Sequence, residues 1–138
     1  METKAIDFPR PERDAMNSPY WEALERGELT YQSCVSCGHH WLPARSECPD
    51  CLSDNWRWER ASGGAKLISW VVYHMAYHPA FEERLPYAVA IVELDEGPRL
   101  ISNVVGSADL ESLVIDQRLV LVIEEEHGVA IPRFKSIS

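Results

Sequence analysis

Apolar and polar positions fall into a regular pattern only in the second half of the chain. From Lys66 onward five β-branched runs follow one another: "KLISWVVYHMAY", "YAVAIVELD", "RLISNVV", "RLVLVIEE" and "VAIPRF". Between them lie "DEGP", "GSADLES" and "EHG", rich in residues that reverse a chain, and this pattern predicts five short strands. Two segments, "AVAIV" and "LVLVI", are apolar on both faces, so their strands require cover on both sides. Five short antiparallel strands with such needs suit a closed OB-type β-barrel.

The first half predicts less regular structure. "YWEALER" reads as a helix of about two turns, with Ser18 as N-cap, Pro19 in the first turn and Gly27 as the stop. A helix that short is marginal in water by itself. Its Tyr20, Trp21 and Leu24 must therefore dock, on the rest of the chain or on another subunit. "LTYQSC" alternates as a short strand leading into a cysteine-rich stretch. Residues 1–17 read as a polar, proline-bearing tail, 18–62 as the helix and cysteine module, and 63–138 as the barrel. Gly63 and Gly64 supply the change of direction at that boundary. The predicted fold class is mainly β, with no internal repeat and no low-complexity tract.

Composition narrows the function. With 46% hydrophobic and 25% charged residues the chain is that of a globular protein, and no run reaches the length of a membrane span. "METKAIDFPRPERD" lacks the basic start and apolar core of a secretory signal, which makes the cytoplasm the expected location. Thiols in a reducing compartment are better placed to bind metal than to form disulfides. The net charge of −9, from 22 acids against 13 bases, opposes a polyphosphate partner and weighs against nucleic acid.

All four cysteines lie in "CVSCGHHWLPARSECPDC": Cys34, Cys37, Cys48 and Cys51, as two C-x2-C pairs separated by ten residues. Each pair can form a tight turn with both sulfurs inward, and two such turns supply a tetrahedral S4 site for Zn2+, or for iron, which the same ligands suit. Gly38 and Pro49 suit those turns. Four thiolates close the coordination sphere, so the metal is expected to be structural, and no cysteine remains as a nucleophile. His39 and His40 are read as surface or supporting residues. His74 and His78 are four apart, which admits a metal pair but favours residues lining a cleft. No Ser-His-Asp order, phosphate-cradling glycine loop or paired-carboxylate site stands out, and Glu124 to Glu126 read as a solvated strand end.

Taken together, "YWEAL", "CVSCG", "PARSECPDC", Trp58, "ASGGAKLISW", "HPAF", "LPYAVAIVELDEGPRLISNVVG" and "GVAIPRF" resemble the acyl-CoA-associated proteins that join a rubredoxin-like zinc ribbon to a C-terminal OB barrel. The resemblance covers roughly residues 18 to 135. Members of that family usually have a glycine near Asp116 and a second proline where Ala44 stands. The resemblance implies an accessory subunit of a CoA-ester-processing enzyme, partnered by a thiolase-like protein, lyase or hydratase that supplies the nucleophile. Acyl-CoA is then a shared substrate. A site for it needs cations for the phosphates, a flat surface and a groove. Arg45, Arg57, Arg60 and Lys66 are candidates for the cations, and His74, His78, Phe81 and Tyr87 for the groove. Tyr20, Trp21, Leu24, His40 and Trp41 are candidates for the partner interface. Two alternatives are a zinc-ribbon OB nucleic-acid binder, which the acidic charge opposes, and a free-standing acyl-CoA hydrolase, which lacks an identifiable nucleophile and base.

Overall fold

The computed structural model describes residues 10–106 and 110–137. The part of the expected N-terminal tail before residue 10, and residues 107–109 of the "GSADLES" turn, lie outside the described residues. Helix α1 spans Ser18–Glu25, followed by β1 (Thr30–Cys34), β2 (His40–Trp41) and β3 (Trp56–Arg60), which form a three-stranded antiparallel sheet in the order β2-β1-β3. Then come β4 (Gly64–Tyr73), β5 (Tyr87–Leu94), β6 (Arg99–Val104), β7 (Arg118–Glu126) and β8 (Val129–Ser136), closed into a barrel in the order β4-β5-β6-β8-β7. These are the five predicted strands. One neighbour pair, β6 with β8, is parallel, whereas the rest are antiparallel.

Closure depends on β4. Its first half pairs with both β5 and β7, and the register shift between Leu67 and Ser69 bends the strand so that one ribbon serves two neighbours. Inward positions alternate along the strands: Ala65, Leu67, Ala88, Ala90, Val92, Leu94, Val104, Leu119 and Phe134 are all buried. Three alanines among them leave room for large neighbours such as Phe134, the usual means of filling a small barrel. The β7–β8 hairpin turns on His127 and Gly128, both at positive φ (49° and 83°), the primed geometry that matches strand twist. Asp116 also takes a positive φ of 65°. Aspartate tolerates that region better than most residues, so the loop keeps its shape without glycine.

The core runs across the boundary expected at Gly63. Leu24, Leu29, Tyr31 and Ala61 from the N-terminal half pack in the same cluster as the barrel's inward residues, and α1 lies against β8 and β1. Only the cysteine end has its own small core, built from Cys34, Cys48, Trp41 and Trp56.

Three expectations need correction. The N-cap of α1 is Asn17 instead of Ser18, whose hydroxyl donates to the Asp14 carbonyl (2.6 Å). Asp14 and Asn17 exchange backbone N–H to side-chain oxygen bonds, each 2.8 Å, and that clasp starts the helix one residue early. The "AVAIV" strand is covered on one face only: Ile91 on its outer side is 39% exposed, and its cross-strand partner Ile101 is 75% exposed. The acidic run ending β7 is not uniformly solvated, because the Glu126 side chain is only 14% exposed and ion-paired.

Candidate metal centre and barrel cleft

The two cysteine turns are built alike. In the first, Cys34 N–H donates to His39 O, Gly38 N–H to Cys34 O and Cys37 N–H to Cys34 Sγ. In the second, Cys48 N–H donates to Ser53 O, Leu52 N–H to Cys48 O and Cys51 N–H to Cys48 Sγ. This repeated pattern requires a left-handed residue after each pair, supplied by Gly38 (φ 80°) and Leu52 (φ 67°). A hydroxyl contact between Ser36 and Ser53 (3.1 Å) ties the turns together.

The four sulfurs lie within 4.8 Å of one another, with Cys34–Cys51 and Cys37–Cys48 at 3.6 Å. A tetrahedral ion with bonds of about 2.3 Å spaces its sulfurs by about 3.8 Å, so the donor set fits zinc. The electrostatics agree with a need for a cation. The Cys37 backbone N–H, first among several hydrogen bonds, brings the Cys34 thiol down to about 6. At Cys37 the His39 N–H favours the thiolate, but burial and the crowding sulfurs of Cys51, Cys48 and Cys34 prevail and push it up to about 12. Four thiolates share this space when a divalent cation neutralises them, and four sulfurs leave no open position for substrate. Among the described residues this is the one cluster of His, Cys, Asp and Glu with metal-site geometry, and the His74/His78 pair does not form another.

The residues beside the metal centre are less free than their sequence suggests. His40 donates from Nδ1 to the Glu96 carbonyl (2.8 Å), tethering β2 to the β5–β6 turn, and its ring packs on Tyr31. Trp41 is 4% exposed inside the small core, and Leu24 is 1% exposed inside the main one. Neither Trp41 nor Leu24 is therefore on a docking surface of the chain. Tyr20 and Trp21 are half-buried; burial pushes the Tyr20 hydroxyl up to about 12. With Leu42, Pro43, Ile91 and Ile101 they wall an apolar groove of about 770 Å³ between α1, the ribbon and the outer barrel face.

A second cleft, about 790 Å³, opens at one end of the barrel. It brings together His74, Phe81 and Tyr87, three of the four expected groove residues. Phe81 lies 6.0 Å from Tyr87, ring to ring. The fourth, His78, instead caps the short 3-10 helix Pro79–Arg84 by accepting the Ala80 N–H at 3.0 Å. None of the four expected cations lines the cleft. Arg57 pairs with Glu59 (2.8 Å), Arg60 with Glu28 (3.7 Å), Lys66 with Glu93 (3.4 Å), and Arg45 is exposed on the ribbon.

Two other arginines stand there. Arg133 Nη1 bonds Glu124 Oε1 (2.8 Å) and Glu126 Oε1, its Nε donates to Asn103 Oδ1 (3.4 Å), and Arg84 Nη1 reaches Glu126 Oε2 (2.8 Å). Burial raises the Glu126 carboxyl, but Arg133 and Arg84 outweigh it and hold it below its ordinary range. Arg133 itself is 8% exposed. One signal pointed to it: an arginine inside the apolar run "VAIPRF" must be paired if that strand is buried.

The chain matches the family models for the rubredoxin-like zinc ribbon domain of ChsH2 over residues 21–57 and the C-terminal OB-fold domain of ChsH2 over residues 58–124. It is 34% identical over 117 residues to a DUF35 domain-containing scaffold protein of Methanothermobacter thermautotrophicus, covering 80% of this chain and 86% of that protein. The chain belongs to the DUF35 family. A DUF35 structure described as the Ltp2-ChsH2(DUF35) aldolase superposes with a TM-score of 0.83 at 35% identity, covering 94% of this chain and all of that one. The chain is also 37% identical over 128 residues to a probable enoyl-CoA hydratase alpha subunit of Thermomonospora curvata. That match takes in 92% of this chain but only 39% of the relative's length. The DUF35 assignment agrees with the four-cysteine ribbon and the five-stranded barrel, and no helix among the described residues is long and apolar enough to cross a membrane.

Proposed function

We propose that this DUF35 chain is an accessory subunit of a cytoplasmic CoA-ester-processing complex. It stabilises a thiolase-like partner and lends its barrel cleft to the acyl-CoA. The partner supplies the nucleophile for thiolytic or aldol/Claisen-type carbon–carbon chemistry. One observation carries the reading: full-length similarity, at 35% identity, to the DUF35 chain of an aldolase whose description pairs it with Ltp2. The relative described as a probable enoyl-CoA hydratase alpha subunit supports the link to CoA esters. The cysteines support the division of labour, since all four sulfurs converge on one cluster and none is left to attack a thioester. Structural Zn2+ at Cys34, Cys37, Cys48 and Cys51 holds the ribbon.

Co-expression with the candidate partner tests this. A stable heteromer whose activity depends on both chains is expected. A partner that turns over at full rate alone and never co-purifies with this chain refutes it.

A further inference from the structure

The barrel-end cleft has a charge arrangement that the CoA reading alone does not foresee. A site for nucleotide phosphates presents cations whose charge is available to the ligand. Among the described residues the Lys and Arg side chains facing the cleft are Arg84 and Arg133, and both are engaged by carboxylates: Arg84 by Glu126, Arg133 by Glu124 and Glu126. Glu111 adds a third acid to the lining, so two positive groups meet three negative ones. A phosphate entering would face these carboxylates and would have to displace them from their arginines. The remaining walls are largely apolar and aromatic, from Val72, Val104, Phe81 and Tyr87, with the imidazole of His74 among them, and Asn103, whose Oδ1 accepts from Arg133 Nε, places an amide beside them. The Asn103 Nδ2 donates to Ala88 O (2.8 Å), which fixes the amide's orientation.

We infer that the cleft takes the uncharged pantetheine arm of the CoA ester and excludes its phosphates, which are left to the partner subunit or to solvent. The arm alternates apolar carbons with amides and a hydroxyl, matching aromatic walls with a few fixed polar groups. A volume near 790 Å³ lies within the usual size of ligand sites. This inference rests on the CoA reading and refines it: the ribbon cations Arg45, Arg57 and Arg60 are not part of the cleft's contribution.

Isotope-labelled full-length chain, titrated separately with pantetheine, CoA and adenosine 3′,5′-bisphosphate, tests the inference by NMR. Pantetheine and CoA are expected to shift the Tyr87, Phe81 and Asn103 signals with dissociation constants within about threefold of each other. Those constants should be insensitive to salt, and the bisphosphate should leave the same signals unmoved. Asn103→Leu is expected to weaken pantetheine about tenfold, the scale of one lost polar contact. Tyr87→Leu, which keeps that wall apolar, provides a second variant should the first fail to fold, and it should weaken pantetheine as well. The inference is overturned if the bisphosphate shifts the cleft signals, if CoA binding falls steeply with salt, or if millimolar pantetheine shifts none of them. A chain that forms the heteromer but ignores pantetheine loses this inference and keeps the accessory role.

Discussion

Replacing Arg133 by methionine probes the barrel-end network directly. The guanidinium side chain is 10% exposed and bonds two carboxylates, of which Glu126 is 14% and Glu124 40% exposed. Methionine keeps most of the volume and leaves the β7–β8 backbone ladder in place, so the principal loss is charge pairing. Removing one partner of a buried pair typically costs 3–5 kcal/mol, because the other charge stays buried. Glu126 retains Arg84 and Glu124 can turn to water, which places the expected cost near the lower end, about 3 kcal/mol at pH 7. For a domain of this size that is a fall in Tm of roughly 10 °C.

The pH dependence distinguishes lost pairing from lost packing. In the wild type the Glu126 carboxyl lies below its unfolded value, so its stabilisation is fully present above that value, near 4.3, and is lost as pH falls through the folded pKa. In Arg133→Met, burial is opposed by Arg84 alone and the carboxyl rises. The folded variant then draws less stability from the ionised carboxylate than the wild type does, so lowering the pH costs it less. The gap between the two proteins should therefore shrink between pH 7 and about pH 4. Urea denaturation across that range measures it. A gap under about 1 kcal/mol at pH 7, or one that stays constant with pH, refutes the pairing argument.

Three further outcomes follow from the geometry. Metal analysis should find about one zinc per chain, and Cys48→Ser should abolish it and collapse the near-UV signals of Trp41 and Trp56; retained metal in that variant would rule out the four-sulfur site. Leu52 is 70% exposed at a φ of 67°, so Leu52→Gly should relieve left-handed strain and raise stability by about 0.5–1 kcal/mol after glycine's entropy cost, read as a shift in the urea midpoint. Phe134 is wholly buried among the barrel's small residues, and Phe134→Ala should cost about 3–5 kcal/mol; a cost near 1 would mean that the barrel collapses around the gap.

The strands were legible because β-branched runs of strand length were set off by turn-forming segments such as "DEGP" and "EHG", whereas the one-sided burial of "AVAIV" was not, since its outer positions are apolar too. The metal centre was legible because two tight turns of fixed length bring four sulfurs together almost regardless of what surrounds them. The cap of α1 was not, since Asn17 and Ser18 are both good caps and the Asp14–Asn17 clasp, a matter of hydrogen bonding across three residues, decided between them. The cleft's cations were missed for a different reason. Arg45, Arg57 and Arg60 are near one another in sequence but sit on the ribbon, whereas Arg84, between β4 and β5, and Arg133, on β8, are far apart in sequence and meet on Glu126 only in the folded barrel.

That network has no evident place in a fold selected for stability alone. The opposite demand is visible in the same barrel, where alanine, leucine, valine and phenylalanine fill most of the interior and the buried Ser102 hydroxyl is satisfied by the Pro132 carbonyl. Apolar residues of similar size commonly match or exceed the stability of a buried ion pair, so stability alone does not account for the mostly buried pair of Arg133 and Glu126. The pairs also neutralise one another, which removes the long-range attraction that would draw in a phosphate and leaves short-range hydrogen bonding as the means of recognition. Polarity without available charge, set between aromatic walls, is the property a neutral ligand arm requires. The same property separates this cleft from the groove beside Trp21 and Ile101, whose lining is largely apolar.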